Sequence, residues 1–474
     1  MEFAFGTLQG MANKLEHIAN PLSALAKRIF ATALSTGAFL AMSVGCLAGN
    51  PFITSIYTAD PSAHVWADGR LYVYPSRDID PPRGCDLMDR YHVFSTDDMV
   101  TWRDEGEILR ASQVSWGRPE GGFMWAPDCA YKDGKYFYFF PHPSGTKWND
   151  TWKIGVATSA EPARGFQCVG YIQGVGGFAM IDPSVFVDTD GQAYLYYGGG
   201  GKCAGGKLKP NMIELDGEMQ PMTNLDDFHE ATRVFKRNDV YYLTYADNFR
   251  RNNRLQYATS STPLGPWKSR GVYLDPTDCD TSHGSVVQYK GQWYAFYHNR
   301  SISGMGNLRS ICVDLLNFDA DGNILKVVQT KTSVPSVGPA PEPNPKTVKY
   351  GVANAKVGNG ATVADDSAAS GGKSVANLHL ADSFLEFDDV DGGANGGQAT
   401  IAIDFAALER GKLRLSVNGA DYSFLNTLPT GSWTAYTGNS YLTVPLQPGK
   451  ANIVKFEGGH GGVNVDYVTV TPLP

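Results

Sequence analysis

The sequence predicts an all-β protein: a five-bladed β-propeller followed by a C-terminal β-sandwich of the jelly-roll kind. Three observations support this fold class. One hairpin pattern recurs five times in the middle of the chain, a proline-rich segment follows it, and short strands punctuated by glycine and asparagine fill residues 347–474. With 474 residues, the chain is also too long for one ordinary hydrophobic core.

The first 48 residues have the features of a secretory signal peptide. Lys14, Lys27 and Arg28 precede an apolar run that is too short to span a membrane. Small residues end the run, so we expect cleavage after Ala48 and a secreted or periplasmic protein without a membrane span. Cys46 leaves lipid anchoring as an alternative.

The five hairpins define a propeller domain over residues 50–332. Each has a small or polar start, an alternating strand, a turn signal and an aromatic-rich second strand. Their starts are 48 to 66 residues apart, and such a period with several short strands per unit is typical of a propeller. The segments between the hairpins supply the outer strands. The five starts are Asp60, Ala126, Asp182, Glu230 and His283.

A linker and a second domain follow the propeller. Residues 333–346 contain five prolines and few apolar residues, which predicts an extended, semi-stiff linker. The strands of residues 347–474 predict the β-sandwich. This region has almost no combination of acidic and basic residues suited to catalysis, which indicates binding rather than chemistry.

Charge and cysteine content narrow the class of protein. A net charge of −8 without clusters of lysine and arginine argues against a nucleic-acid partner. Six cysteines beyond residue 48 permit disulfides without specifying their pairing, and buried free thiols are an equally good interpretation for Cys129 and Cys312. No cysteine or histidine spacing typical of a metal site occurs.

Three of the hairpin starts are carboxylates. The innermost strand of every blade lines one central channel, so Asp60, Asp182 and Glu230 are expected to converge there. A single Asp-Pro at a strand start is often only a turn former. Three carboxyls around one axis, however, raise at least one pKa by mutual repulsion. Hydrolysis of a glycosidic bond needs one protonated and one ionised carboxyl, and this pattern favours such an activity.

Four further residues are candidates for contacts with a sugar substrate. His283 starts the fifth hairpin and is expected on the propeller axis, bound to carboxylates or near a metal ion. Arg309 could orient a carboxylate or a sugar hydroxyl, or be a solvated arginine. Trp125 and Phe123 could form a wall on which sugar faces stack, with core packing as the alternative.

Five motifs together resemble glycoside hydrolase family 43 over nearly all of residues 50–332. They are TADPSAHVWADGRLYVYPSRD, WAPDCAYKDGKYFYFF, IDPSVFVDTDGQAYLYYGG, a glutamate before VFKRNDVYYLTYA, and SHGSVVQYKGQWYAFYH. The resemblance implies a single displacement that inverts the anomeric configuration. It implies Asp60 as general base, Glu230 as general acid, and Asp182 as the residue that tunes the pKa of the acid and helps to orient it. It also implies a calcium ion beside His283 and no organic cofactor.

The resemblance extends to the class of polysaccharide substrate. The WAPDC and YHVFSTDD segments are similar to exo-acting α-L-arabinofuranosidases and β-xylosidases, which remove arabinose or xylose from plant cell-wall polysaccharides. An endo-acting arabinanase or an exo-galactanase of the same family remains open, as does a non-catalytic glycan-binding propeller. The chain departs from the family at Glu230-Ala-Thr, where Gly-Pro or Ala-Pro usually follows the acid.

The C-terminal domain resembles carbohydrate-binding module family 6 through LPTGSWTAY, VPLQPGKANIVKF and GGVNVDYVTV. The resemblance implies that an asparagine and aromatic side chains in the end loops hold the sugar. Asn464 fits the asparagine, and Trp433 and Tyr436 compete for one aromatic place, although Trp433 could equally be core. The usual early glutamate pair is missing around Tyr350.

Overall fold

The computed structural model describes residues 49–80, 84–145, 151–176, 180–249 and 252–474. The predicted signal peptide, with Cys46, lies outside these residues. Within them the chain is mostly strand and turn, with one short α-helix, α1 (Gly84–Leu87), and two short 3₁₀ helices, Ala111–Gln113 and Val352–Asn354. No helix of the described part is long and apolar enough to cross a membrane. The all-β fold class is confirmed.

Blades 1 to 4 of the propeller are antiparallel sheets of four strands in consecutive order. Blade 1 contains β1 (Ala59–Val65), β2 (Leu71–Ser76), β3 (Arg90–Thr96) and β4 (Trp102–Arg110). Blade 2 contains β5 (Asp128–Lys132), β6 (Lys135–Pro143), β7 (Trp152–Ser159) and β8 (Gln167–Tyr171). Blade 3 contains β9 (Ser184–Val187), β10 (Ala193–Gly199), β11 (Lys202–Leu208) and β12 (Gln220–Pro221). Blade 4 contains β13 (Phe228–Arg237), β14 (Val240–Asp247), β15 (Leu255–Ser260) and β16 (Lys268–Leu274).

Blade 5 closes the ring with help from the segment before β1. Its sheet contains β17 (Ser285–Tyr289), β18 (Gln292–Asn299) and β19 (Ser310–Leu316). The Phe52 N–H donates to the Ile311 carbonyl at 3.1 Å, and the Thr58 N–H donates to the Arg309 carbonyl at 2.9 Å. Residues 50–58 therefore run beside β19 and take the fourth place in the blade.

The hairpin turns and the packing between blades follow from the sequence repeat. The five turn residues all have left-handed φ angles between 61° and 85°, which glycine and aspartate tolerate. The aromatic second strands fill the spaces between blades with four clusters of buried side chains, and a fifth cluster lies between blades 5 and 1. The turn residues are Gly69, Gly134, Gly191, Asp239 and Gly291.

The C-terminal region is a sandwich of a six-stranded and a five-stranded sheet. The first contains β20 (Val348–Gly351), β22 (Thr362–Asp365), β23 (Lys373–Ala376), β25 (Gly397–Ala406), β28 (Gly438–Leu446) and β30 (Asn464–Pro472). The second contains β21 (Lys356–Gly358), β24 (Phe384–Val390), β26 (Gly411–Val417), β27 (Ala420–Thr427) and β29 (Asn452–Glu457). Apolar residues alternate along β25, as expected where one face of a sheet is buried.

The sandwich packs directly against blade 1 and the segment before it. The apolar cluster between blades 5 and 1 continues into the sandwich core. The Asn426 N–H donates to the Ser55 carbonyl at 2.8 Å, and the Thr443 N–H donates to the Asp104 carboxylate at 2.7 Å. Val334, at the start of the predicted linker, is buried in the same cluster.

The described cysteines favour free thiols over disulfides. Cys129, Cys203, Cys279 and Cys312 are buried and free, and Cys168 is half-buried and free. The Cys85 side chain lies outside the described part of the structure.

Candidate active site

The carboxylates at the hairpin starts stand on irregular backbone that turns them into the channel. Asp60 and Asp182 have left-handed φ angles of 50° and 53°, and Ala231, next to Glu230, has one of 66°. The register of β1 shifts between Ala59 and Ser62, and that of β13 shifts on both sides of Glu230. Such bulges re-aim side chains at the rim of a sheet.

One cavity of about 170 Å³ brings six of the predicted residues together. The three carboxylates lie in it, and they come from blades 1, 3 and 4, as the hairpin alignment predicted. The cavity also contains residues that sequence reasoning did not select, from the segments before β5, β9, β17 and β19. The predicted residues in its lining are Asp60, Trp125, Asp182, Glu230, His283 and Arg309, and the unselected ones are Ala126, Ile181, Asp280, Thr281, Gly306 and Asn307.

Asp60 is surrounded by donors. Arg309 Nη1 donates to Asp60 Oδ1 at 2.8 Å, and the Ser76 hydroxyl donates to Oδ2. The Asp60 N–H donates to Nδ1 of His298 at 3.0 Å, and Nε2 of His298 lies 2.8 Å from the Thr281 carbonyl. The accepting Nδ1 leaves the proton of this ring on Nε2.

These contacts set the charge of Asp60. Burial raises the pKa of its carboxyl, but the charge of Arg309, together with the hydrogen bond from the Ser76 hydroxyl, outweighs burial, and the net pKa is lowered. Burial and the charge of Arg309 lower the pKa of His298 to about 3, so this ring is neutral. Asp60 is therefore an ionised carboxylate over the whole neutral pH range.

Arg309 is itself fixed by a second carboxylate. Its guanidinium makes a two-pronged contact with Asp78, with Nε and Nη2 each 2.9 Å from a carboxylate oxygen. Nη1 also donates to the Thr281 hydroxyl at 3.0 Å. Arg309 is only 5% exposed, so the alternative of a solvated arginine is wrong.

Asp182 and Glu230 have the opposite electrostatic setting. The Ala231 N–H donates to Asp182 Oδ2 at 2.7 Å, and the Thr232 hydroxyl donates to the Asp182 carbonyl at 2.6 Å. Burial and the repulsion of Glu230 and Asp60 raise the pKa of Asp182. Burial and Asp60 also raise the pKa of Glu230, although His229, with Nε2 at 3.5 Å from Oε2, opposes this. The pair therefore keeps a proton at a pH where an isolated carboxyl has lost it.

His283 lies between the carboxylates. Its Nδ1 is 3.7 Å from Asp182 Oδ2, which is too long for a hydrogen bond. Burial lowers its pKa to about 4, with Asp60 opposing and the charges of Arg309 and Arg233 reinforcing the shift. The ring is therefore neutral at neutral pH.

The residues around His283 do not fit a calcium ion. Calcium takes six to eight oxygen ligands, and no group of three or more His, Cys, Asp or Glu side chains in the described part of the chain is placed to hold a metal. Arg309 and Arg233 already supply positive charge beside the ring, where it balances the negative charge of Asp60 and Asp128.

Aromatic side chains form one wall of the cavity. Trp125 lines it and packs on Trp152, with ring centroids 4.6 Å apart. Phe123 is not part of the lining. It meets the edge of Trp125 at 5.9 Å, in a left-handed backbone conformation with φ 57°, and therefore supports the tryptophan from behind.

The candidate binding residues of the sandwich lie close together. Asn464 Nδ2 donates to the Trp433 carbonyl at 3.0 Å, and the Trp433 side chain is 38% exposed, so Trp433 is a surface residue rather than core. Tyr436 is half-buried, and its hydroxyl donates to the Asp366 carboxylate at 2.5 Å. Of the two competing aromatic residues, Trp433 has the more accessible ring.

Chemically, the cavity can hold a proton on one side and a negative charge on the other. Asp60 is kept ionised by an arginine, whereas Glu230 and Asp182 share a raised pKa. Two carboxyls whose environments push their pKa values apart are the usual basis for an acid and a base in one site.

Comparison with known proteins agrees with this geometry. A family model described as glycosyl hydrolases family 43 matches residues 48–324. A xylosidase/arabinosidase from Humicola insolens, 43A, is 34% identical over 58% of this chain and 98% of its own length. A crystal structure of a family 43 β-xylosidase/α-arabinofuranosidase from a compost microbial metagenome, complexed with xylotriose in a calcium-free form, covers 58% of this chain and 96% of its own, with 33% identity and a TM-score of 0.53.

A further solved structure resembles nearly the whole described chain. An arabinoxylan arabinofuranohydrolase from Bacillus subtilis, complexed with cellotetraose, covers 90% of this chain and 98% of its own, with a TM-score of 0.54. At 24% identity, this likeness concerns the fold alone. It extends from the propeller into the C-terminal sandwich.

Proposed function

The chain belongs to glycosyl hydrolases family 43, and from this premise we propose that it removes single arabinose or xylose units from plant cell-wall polysaccharides by an inverting displacement. The similarity to proteins named xylosidase/arabinosidase supports this choice of sugars. As a member of a hydrolase family the protein is a glycosidase, and the alternative of a non-catalytic glycan-binding propeller has no support.

The observation that carries the proposal is the charge difference between the two sides of the cavity. Asp60 is paired with Arg309, which favours its ionised form. Glu230 is half-buried, and desolvation and the charge of Asp60 raise its pKa, which favours its protonated form. A general base must be ionised and a general acid protonated at the same pH, and these two environments meet both requirements.

In the proposed step, Asp60 accepts a proton from a water molecule as the water oxygen attacks the anomeric carbon. Glu230 donates its proton to the glycosidic oxygen while the bond from that oxygen to the anomeric carbon breaks. The products are a free sugar of inverted configuration and the shortened polysaccharide. Asp60 leaves the step protonated and Glu230 ionised, and exchange with solvent restores both.

The other residues of the cavity orient the acid, the base and the sugar. Asp182, whose repulsion keeps a proton in the pair, tunes Glu230. Arg309 holds Asp60 in place, and Trp125 offers an aromatic face to the sugar ring. Drug-sized ligands occupy pockets of roughly 300–1,000 Å³. The cavity here is smaller, at about 170 Å³, which supports exo action on one sugar unit.

The proposal is tested by hydrolysis of 4-nitrophenyl α-L-arabinofuranoside and 4-nitrophenyl β-D-xylopyranoside. The wild-type protein is expected to turn over one or both, and proton NMR of the first product should show inversion. Glu218, an exposed glutamate in blade 3, provides a matched control for the substitution of Glu230 described below. Glu218→Gln should behave as wild type. Retention of configuration would contradict the mechanism.

Two substitutions separate the acid from the base. Glu230→Gln should lose roughly 10²–10⁴-fold in kcat/KM on xylo- or arabino-oligosaccharides. It should lose much less on 4-nitrophenyl glycosides, because 4-nitrophenolate leaves without a proton. Asp60→Asn should be inactive on both substrates, because water must be activated in each case. Equal losses for Glu230→Gln on both substrates would remove its assignment as acid.

We also propose that the sandwich binds carbohydrate and that the protein is exported. The adjacent Asn464 and the exposed ring of Trp433 support the first proposal. The apolar run within residues 1–48 supports the second.

A further inference from the structure

A second charged cluster lies on the propeller axis, apart from the catalytic cavity. Arg233 Nη1 donates to Asp128 Oδ1 at 2.5 Å, and its Nη2 donates to the Ala63 carbonyl at 3.1 Å. The Ser62 hydroxyl and His64 Nε2 lie 2.6 and 2.7 Å from the same carboxylate oxygen. We refer to Arg233, Asp128, Ser62 and His64 as the axial cluster.

The axial cluster joins four of the five blades. Asp128 belongs to β5, Arg233 to β13, and Ser62 and His64 to β1, while the Val185 N–H of β9 donates to Asp128 Oδ2 at 2.6 Å. Both charged partners are buried, at 1% exposure for Asp128 and 7% for Arg233. A buried pair with this number of hydrogen bonds fixes the relative positions of the strands that carry it.

The axial cluster also separates the two mouths of the channel. The catalytic cavity opens among the starts of the first strands. A second opening, of about 560 Å³, is lined by later residues of the same strands, including His64 and Arg233. Arg233 therefore occupies the centre of the channel, near enough to His283 for its charge to act on that ring.

We propose that Arg233 is a built-in cation of the propeller axis, which takes the place of a bound metal ion and positions the first strands beneath the catalytic carboxyls. The guanidinium supplies the positive charge that the axial carboxylate requires. The planar guanidinium of Arg233, on blade 4, also makes hydrogen bonds to blades 1 and 2. A metal ion could connect these blades only through additional ligands. The protein accordingly needs no divalent metal for stability or turnover.

Metal content and thermal stability test this proposal without reference to the substrate. Protein purified without chelator and dialysed against calcium-free buffer should hold no stoichiometric calcium by mass spectrometry. Its Tm should be the same with and without millimolar Ca²⁺, whereas an ion present at a hundred times its Kd would raise the Tm of a chain this long by roughly 3 °C. Stoichiometric calcium, or a Tm that falls with EGTA and recovers with Ca²⁺, overturns the proposal even if the assignment of sugars is right.

Substitutions at Arg233 test its role as a positioning residue. Arg233→Lys keeps the charge and should stay insensitive to EGTA, with lowered kcat and little change in KM. Arg254 provides a matched control, because it pairs with the Asp247 carboxylate at 2.7 Å. The kcat of Arg233→Met should fall at least tenfold more than that of Arg254→Met. If Arg233→Met does not fold, the EGTA response of wild type and Arg233→Lys still decides the matter. Wild-type turnover by Arg233→Met, or turnover of Arg233→Lys that requires calcium, overturns the proposal.

Discussion

Replacing Arg309 by methionine tests the electrostatic assignment of the catalytic cavity. The substitution removes the positive charge 2.8 Å from Asp60 and keeps only an unbranched chain about as long as the aliphatic part of arginine. We expect the pKa of Asp60 to rise, because burial then acts with less opposition. The acid limb of the kcat/KM profile, which reports ionisation of the base, should move to higher pH.

The size of this shift follows from the contact. Two unit charges about 4 Å apart interact with about 4 kcal/mol at an effective dielectric constant of about 20. One pH unit corresponds to about 1.4 kcal/mol, so about 3 units is an upper limit. His298 and the Ser76 hydroxyl remain beside Asp60, and we therefore expect a rise of roughly 1–3 units.

The free energy of unfolding of the wild-type protein should also depend on the charge of Asp60, and should fall as the pH is lowered. The folded-state pKa of Asp60 is depressed, so its contribution to stability is present above the unfolded pKa and is lost as the pH falls. Arg309→Met leaves the buried Asp60 and Asp78 without their cationic partner, which costs about 3–5 kcal/mol at neutral pH. This difference from wild type should shrink in acid, where both carboxyls are protonated in the variant.

The assay is a pH–rate profile combined with urea unfolding at two pH values. Arg309→Lys, which keeps the charge, is the control and should retain an acid limb near that of wild type. Asp78→Asn combined with Arg309→Met removes one uncompensated carboxylate if the single variant is too unstable. A folded Arg309→Met protein with the wild-type acid limb would refute the assignment of Asp60 as a base held ionised by arginine.

Three further predictions concern the acid pair and the sandwich. Asp182→Asn removes one of two carboxyls that share a raised pKa, so the alkaline limb of kcat/KM should move to lower pH; an unmoved limb would mean that Asp182 does not tune the acid. Ser423→Ala leaves Nη2 of the buried Arg77 without its acceptor, and should lower the free energy of unfolding by about 1–3 kcal/mol in a urea titration. Ser336→Ala, on the surface, is the control. Trp433→Ala should weaken binding to arabinoxylan severalfold in affinity electrophoresis but leave hydrolysis of 4-nitrophenyl glycosides unchanged.

The sequence repeat was sufficient to predict the propeller and the carboxylates of its cavity. Each hairpin carries its own turn residue and its own alternation, so the blades could be aligned without knowledge of the ring. Alignment then places Asp60, Asp182 and Glu230 at equivalent starts. The repeat carries information about each blade separately. It therefore predicts correctly the residues whose position depends only on where they lie within their own blade.

The residues that sequence analysis missed depend on contacts between blades. Asp78 follows β2 and meets Arg309 of blade 5 only because the ring closes. His298 lies at the end of an aromatic strand, where the sequence predicts only another buried ring. In the structure its Nδ1 accepts a hydrogen bond from the Asp60 N–H of blade 1. Arg233 lies on an alternating strand, where an arginine usually indicates solvent. The equivalent position of β1 carries Ala63, so the repeat gives no sign that the Arg233 side chain points inward.

The segment after β2 connects the C-terminal sandwich to Asp60, the proposed base. Asp78 holds Arg309 by two hydrogen bonds, and Arg309 sets the charge of Asp60. On either side of Asp78, Arg77 donates to Ser423 at 2.5 Å and Asp80 pairs with Lys412, and both of these partners belong to the sandwich. The sandwich thus holds the residues that flank Asp78. The apolar cluster between blades 5 and 1 also continues into the sandwich, so removing the sandwich would expose the propeller core beside blades 5 and 1. The sandwich is therefore a structural part of the unit that positions Asp60, whether or not it also binds carbohydrate.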